Sequence, residues 1–209
     1  RLVIAMTGPR SELSWLPADT EHYDFYDLKG VVDAALSGLH IVDVEYAATQ
    51  RPGYYPGRAA QLTIGGEFAG VLGELHPEVV AAYDLPEGVP VLAADLDLET
   101  LMANVNDQFK TVPISRFPPV QQDIALILDD HINGSAVEAL IRQTGGFLLA
   151  DVALFDVYRG DPLPATKKSL AYRLTFQAPD KTLNDKIVAK QQGRIVKRLE
   201  KEFGAQLRG

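Results

Sequence analysis

Apolar residues in the first half of the chain follow strand spacing and helix spacing in turn. Residues 2–6 (LVIAM) form an apolar run typical of a strand, and apolar positions at helical spacing over 25–36 predict an amphipathic helix closed by Gly38. The remaining predicted elements are a strand at 41–46, a hairpin of 59–64 and 67–73 about Gly65-Gly66, a short helix after Pro77 and a strand at 89–97. This half is therefore predicted to be a mostly antiparallel sheet with few helices.

The stretch FKTVPISRFPPVQQ at 109–122 separates two different patterns. It contains three prolines and little periodicity, which is typical of a linker. We therefore predict two domains, 1–112 and 113–209, with the second fold beginning near Arg116.

The second half has a simpler order of elements. The pattern predicts a strand at 124–128, a helix at 135–143, strands at 152–158 and 169–176, a helix at 184–203 and a short strand at 206–208. Thr182 and Asp185 have the spacing of a capping box before the last helix, and Gly204 stands where a C-cap is expected. The order β-α-β-β-α-β predicts a ferredoxin-like fold of the α+β class, with both helices on one face of a four-stranded antiparallel sheet.

Strand alternation predicts which side chains line the other, open face of this sheet. The large apolar side chains are expected to face the helices: Ile124, Leu126, Leu128, Phe155, Val157, Leu170, Tyr172, Leu174 and Phe176. The open face then receives Ala125, Asp156, Tyr158, Ser169, Ala171, Arg173 and Thr175. A tyrosine among small and polar groups is suited to stacking on unpaired bases and to contacting their edges. An ordinary solvated sheet face is the alternative interpretation.

The last predicted helix carries a strongly cationic face. Val188, Ile195, Leu199 and Phe203 follow the spacing of a buried stripe, whereas the cations follow another face: Lys186, Lys190, Arg194, Lys197, Arg198 and Lys201. That face could track phosphates, or it could only be solvated.

Charge is distributed unevenly between the two halves, within a net charge of -8. Residues 1–112 carry 6 Lys/Arg and 17 Asp/Glu, a balance of 6 - 17 = -11, whereas residues 113–209 carry 14 and 11, a balance of 14 - 11 = +3. An anionic partner is therefore expected to bind the second half.

The sequence offers no catalytic or metal-binding constellation. It has no cysteine, its four histidines are scattered without an i, i+4 pair, and phosphate-binding or nucleophile motifs are absent. No apolar run approaches the roughly 20 residues of a membrane helix, so we expect a soluble, cytoplasmic and unprocessed chain with no membrane contact. The first residue, Arg1, lies at a predicted strand, which suggests a piece of a longer protein.

Several motifs together resemble the C-terminal region of the bacterial phenylalanine–tRNA ligase beta-subunit family. They span nearly the whole chain: FYDLKG at 25–30, PGR at 56–58, LGELHP at 72–77, RFPPVQQDIAL at 116–126, LFDVYRG at 154–160, KKSLAYRLTFQ at 167–177 and EKEFGAQLRG at 200–209. The resemblance implies that 1–112 is a class II synthetase-like module without active-site motifs, serving as a scaffold and subunit interface. It also implies that 113–209 is a ferredoxin-fold anticodon-binding domain.

The same resemblance implies partners and site residues. The family forms a tetramer of two alpha and two beta chains, in which alpha attaches phenylalanine to tRNA(Phe) with ATP and magnesium, so this fragment alone is expected to be inactive and free of cofactors. Family contacts to the anticodon fall by motif position on Ala125, Asp156, Tyr158, Ser169 and Arg208. We add Arg173, Lys186, Lys190, Arg194, Lys197 and Arg198 as possible phosphate contacts.

Three departures from the family pattern stand out. Gln121-Gln122-Asp123 replaces the usual RRD, Tyr55 replaces the histidine before Pro56-Gly57-Arg58, and KTLNDKIV at 181–188 replaces RTLTDEEV. A different function class also fits the second fold, because ferredoxin-like domains bind small molecules such as amino acids at helix and strand edges. The basic balance of 113–209 favours the nucleic-acid interpretation over such a sensor.

Overall fold

The computed structural model describes residues 1–11, 15, 21–85, 88–106 and 115–208. The chain divides into two compact units, Arg1–Thr111 and Val112–Gly209. The predicted boundary between residues 112 and 113, and part of the predicted linker, lie outside the described residues.

The first unit contains an antiparallel five-stranded sheet in the order β1-β5-β4-β3-β2. Its elements are β1 (Leu2–Thr7), α1 (Phe25–Gly38), β2 (Val44–Ala48), β3 (Tyr54–Ile64), β4 (Glu67–Leu75), α2 (Pro77–Ala82), β5 (Val91–Leu96) and α3 (Leu98–Ala103). The predicted antiparallel character is confirmed, and both glycines of the predicted hairpin, Gly65 and Gly66, have the positive φ angles that a tight two-residue turn requires.

Helix α1 forms where the pattern predicts it, for two local reasons. Asp24 and Asp27 form a reciprocal capping box at its N-terminus, which satisfies backbone donors that have no partner inside the helix. Leu28, Val32 and Leu36 lie on one side and are buried in the core of this unit. The helix therefore covers apolar surface of the sheet.

Two details of the first unit differ from the prediction. Strand β2 begins at Val44 and not at residue 41, because His40 and Asp43 both adopt left-handed backbone conformations with φ of 55° and 56°. Helix α3 was not predicted: Asp97, assigned to a strand, instead caps it by accepting from the backbone N–H groups of Glu99 and Thr100. A six-residue helix is too short to show a clear period.

The second unit has the predicted order of elements. It consists of β6 (Val120–Asp129), α4 (Gly134–Gly145), a 3-10 turn (Gly146–Leu148), β7 (Leu149–Tyr158), β8 (Lys167–Phe176), α5 (Asp185–Phe203) and β9 (Gln206–Leu207). The sheet is antiparallel in the order β7-β8-β6-β9. The ferredoxin-like β-α-β-β-α-β prediction is therefore confirmed.

The core of this unit lies between the sheet and its two helices. From β8 it takes the predicted inward set Leu170, Tyr172, Leu174 and Phe176, all almost fully buried. Helices α4 and α5 supply Val137, Ile141, Val188, Ile195 and Leu199. The buried hydroxyl of Tyr172 donates to the Gly134 carbonyl oxygen at 2.9 Å, which ties β8 to the start of α4. Both helices therefore pack on one face of the sheet and leave the other uncovered among the described residues.

The ends of α5 confirm one expectation and correct another. Gly204 has a left-handed conformation and caps the C-terminus, as predicted. The predicted capping box of Thr182 and Asp185 is wrong, because the N-cap is Asn184, whose side chain accepts from the Ile187 N–H at 2.9 Å. A helix has one N-cap, and the asparagine lies directly before the first helical residue.

Candidate nucleic-acid interface

A β-bulge in β7 decides which of its side chains reach the open face. Leu154 pairs with Tyr172 and Asp156 pairs with Ala171, so Phe155 is an extra residue between two successive pairs. Asp156 and Tyr158 therefore share the open face with Ala171 and Ser169, as predicted.

The prediction that Phe155 faces the helices is wrong. Its side chain is 52% exposed, and the guanidinium of Arg173, an open-face residue, lies 5.1 Å from its ring centroid. The bulge shifts the alternation by one residue, which puts Phe155 and Asp156 on the same side. The sequence contained a signal for this shift, because the apolar residues of this strand fall on even-numbered positions at Val152 and Leu154 and on an odd-numbered position at Val157.

Tyr158 and Arg208 contact each other across the open face. The Arg208 guanidinium lies 5.3 Å from the Tyr158 ring centroid, and the Tyr158 hydroxyl donates to the Asp161 carbonyl oxygen at 2.5 Å. The backbone N–H of Arg208 donates to the Ala125 carbonyl oxygen at 2.9 Å, which extends the pairing of β9 with β6. Three of the predicted contact residues, Ala125, Tyr158 and Arg208, are therefore linked through one set of contacts.

Ser169 occupies the predicted side of β8 but is not exposed. It pairs with Tyr158 on one side and Ile127 on the other, and only 4% of its surface is accessible. Ser169 thus lies between Tyr158 of β7 and Ile127 of β6, and Tyr158 in turn contacts Arg208, directly after the other edge strand, β9. Its position beside Tyr158 is as predicted, and its small side chain is almost inaccessible there.

Arg173 is held by an acidic neighbour on the same face. Its Nε and Nη2 donate to the two carboxylate oxygens of Asp123 at 2.9 and 2.8 Å, and the two residues are directly paired in the sheet. This bidentate hydrogen bond lowers the pKa of the Asp123 carboxyl and raises the pKa of the Arg173 guanidinium. The positive charge of Arg173 is thus already compensated, which makes it a poorer phosphate contact than expected.

The cations of α5 lie on the helical side of the sheet. Lys186, Lys190, Arg194, Lys197, Arg198 and Lys201 are all exposed. Arg198 pairs with Glu202 at 2.9 Å and Arg194 donates to Gln191 at 3.3 Å, while no ion pair with a described residue is formed by Lys186, Lys190 or Lys197. The structure therefore does not bring the cationic helix face and the open sheet face together, since the sheet separates them.

The first unit has a separate open pocket of about 410 Å³, lined among others by Arg51, His76 and Glu78. No group of three or more histidines and carboxylates within the described ranges is arranged to hold a metal ion. In the PGR motif, Arg58 donates to Glu74 at 2.7 Å and lies over the Tyr55 ring at 4.5 Å from its centroid. That arginine is therefore used in an internal contact. No helix in the described part of the chain is long and apolar enough to cross a membrane.

Two family models match the chain, one for each unit. The phenylalanyl tRNA synthetase beta chain CLM domain matches residues 1–98, and the ferredoxin-fold anticodon binding domain matches residues 115–208. Each match covers nearly all of one compact unit.

Curated relatives agree with both matches and carry the name phenylalanine–tRNA ligase beta subunit. The protein of Geobacillus kaustophilus is 39% identical over 211 residues, covering 100% of this chain and 26% of its own length. That of Symbiobacterium thermophilum is 40% identical over 205 residues (98% and 22%), and that of Moorella thermoacetica is 43% identical over 186 residues (88% and 23%). The chain spans about a quarter of the length of these relatives. It belongs to the phenylalanine–tRNA ligase beta-subunit family, through a CLM domain followed by a ferredoxin-fold anticodon-binding domain.

Proposed function

We propose that the second unit binds the anticodon of tRNA(Phe) with its open face, as part of a phenylalanine–tRNA ligase. The observation that carries this proposal is the pair formed by Tyr158 and Arg208 above small side chains, on a sheet face that no described helix covers. Four-stranded sheets that bind single-stranded RNA stack its bases on aromatic rings and guanidinium planes in this way. The matching family model and the names of the relatives support the same partner.

Each contact residue has a role that its chemistry supports. Tyr158 stacks on a base, and the exposed carboxylate of Asp156 accepts hydrogen bonds from a base edge. Ala125 permits close approach because its side chain is small. A base that stacks on Tyr158 replaces Arg208 at the ring, and Ser169, the sheet partner of Tyr158, contacts the base edge.

Phosphate contacts come from a different part of the unit. We assign them to α5, whose exposed cations are Lys186, Lys190, Arg194, Lys197, Arg198 and Lys201. Because α5 lies on the opposite side of the sheet from Tyr158, these cations contact a segment of RNA other than the bases held by the open face. Their contribution is affinity that depends on salt and not on sequence.

The first unit serves assembly in this proposal. The relatives are named beta subunits, and the balance of -11 over 1–112 disfavours RNA binding by that half. It acts as a scaffold for an alpha subunit in a cytoplasmic heterotetramer of two alpha and two beta chains, in which alpha uses ATP and magnesium. The chain alone therefore catalyses no exchange of pyrophosphate into ATP with phenylalanine, and exchange by alpha-free protein would overturn this assignment.

Binding of labelled tRNA(Phe) and a non-cognate tRNA at two salt concentrations tests the anticodon role. Tyr158→Ala is expected to weaken binding by about 1 to 3 kcal/mol, the range for base–aromatic stacking, with an unchanged salt slope. Asp156→Ala is expected to narrow the preference for the Phe anticodon over a mutated one. Tyr83→Ala, an equally simple removal of an exposed ring in the first unit, serves as control. Unchanged affinity of a folded Tyr158→Ala protein contradicts the proposal.

A further inference from the structure

We infer that Phe155 is a second base-stacking platform on the open face, beside Tyr158; the inference rests on the proposed RNA-binding function. Phe155 is 52% exposed and does not belong to the apolar cluster that forms the core of the second unit. An exposed phenylalanine on a polar sheet face contributes little to folding. Its position therefore requires another explanation.

The bulge aims this ring at the face that carries Tyr158. The extra residue in β7 places Phe155 next to Asp156 on the open side, whereas alternation counted back from Tyr158 without a bulge puts it against the helices. Bulges are typical of places where a strand redirects a side chain for function. Here the bulge places an aromatic ring on the same face of the sheet as Tyr158.

Arg173 supports the Phe155 ring from one side. Its guanidinium lies 5.1 Å from the ring centroid and is fixed by two hydrogen bonds to Asp123, at 2.9 and 2.8 Å. Because Asp123 compensates its charge and holds two of its five N–H donors, Arg173 acts as a rigid support for the ring. One face of the Phe155 ring is thus covered, and a base can stack on the other.

The two rings have a spacing that one RNA strand can follow. Phe155 precedes Asp156, the partner of Ala171, and Tyr158 is the partner of Ser169. At about 3.3 Å per strand residue, the two positions are roughly 7 to 10 Å apart along β7. Sheets of this size in RNA-binding modules stack two or three bases on neighbouring aromatic residues.

The surroundings of Phe155 favour a nucleic-acid base over an apolar protein partner. Its neighbours on the open face are the ion-paired Arg173 and Asp123 and the exposed Asp156. Protein interfaces bury contiguous apolar patches at their centres, whereas the partly exposed Leu154 and Val157 beside this ring pair with inward-facing residues of β8 and so belong to the other face. A flat base with polar edges matches one ring surrounded by hydrogen-bonding side chains.

The test compares three substitutions of Phe155 in the full chain, using binding of tRNA(Phe). Phe155→Leu keeps an apolar side chain without a ring and is expected to weaken binding roughly 5- to 150-fold with an unchanged salt slope. Phe155→Tyr keeps the ring and is expected to bind like the unsubstituted chain, and Phe155→Ala to resemble Phe155→Leu. Phe147→Ala is the matched control, because Phe147 is 84% exposed in the turn before β7.

A second measurement reports stacking directly and separates the possible failures. An anticodon stem-loop RNA with 2-aminopurine at each loop position in turn should show quenching at one position that Phe155→Leu abolishes and Phe155→Tyr retains. If Tyr158→Ala weakens binding while Phe155→Leu neither weakens it nor changes quenching, this inference is overturned and the proposed function stands. If neither substitution matters in a folded protein, both are overturned.

Discussion

Charge reversal on α5 separates phosphate contacts from base contacts in this molecule. Lys190 and Arg194 are exposed, lie one helical turn apart, and form no ion pair with a described residue, whereas the nearby Arg198 already pairs with Glu202. We therefore expect the double substitution Lys190→Glu with Arg194→Glu to remove two phosphate contacts without breaking an internal ion pair; the one internal contact that it removes is the 3.3 Å hydrogen bond from Arg194 to Gln191. Each phosphate contact contributes about 0.7 to 0.9 to the slope of log affinity against log salt.

The expected size of the effect follows from that slope. Losing two contacts makes the slope shallower by about 1.4 to 1.8. A fourfold rise in salt weakens binding by both proteins, and the factor by which it weakens binding by the variant is roughly 7 to 12 times smaller than the factor for the unsubstituted chain. The same change should appear with cognate and non-cognate tRNA, since phosphates carry no sequence information.

The assay is tRNA binding at four or more salt concentrations, with thermal melting to check folding. Arg51→Glu controls for the effect of net charge, because Arg51 is exposed and lies in the first unit; it changes the net charge by -2, half of the -4 of the double substitution. A variant that stays folded and keeps the original slope refutes the assignment, and the α5 cations are then only solvated. If Arg51→Glu changes the slope by half as much as the double substitution does, the assignment is refuted as well, because the effect is then one of overall charge.

Three further predictions concern stability and protonation. Asn184→Ala removes the observed N-cap of α5 and is expected to lower stability by about 1 kcal/mol in denaturant unfolding, whereas Thr182→Ala should leave it nearly unchanged. Tyr172→Phe leaves a backbone carbonyl at the start of α4 without its donor and is expected to cost about 1 kcal/mol or somewhat more, measured in the same way. Asp123 should titrate below its ordinary pKa of 3.8 by carbon-13 NMR and return towards it in Arg173→Gln, so the stabilisation from this pair is present above pH 3.8 and is lost as the pH falls through the lowered value.

The sequence alone determined the order and type of nearly all elements. Helix α1, the Gly65-Gly66 hairpin and the β-α-β-β-α-β order are set by local periodicity, turn chemistry and caps, all of which operate over a few residues. The inward set of β8 was also predictable, because that strand is central and alternates without interruption from Leu170 to Phe176. The sequence motifs likewise identified the family that the comparisons confirm.

Other features depended on strand pairing and could not be read from local pattern. The change of apolar spacing between Leu154 and Val157 indicates an irregularity in β7, but only the register with β8 shows that it is a bulge at Phe155. Ser169 is buried beside two sheet partners that are distant in sequence, Ile127 and Tyr158, and Tyr158 contacts Arg208, which is 50 residues further along the chain. Alternation assigns a side chain to a face of the sheet, whereas its accessibility depends on which distant side chains pack over that face, and only the tertiary structure brings those together.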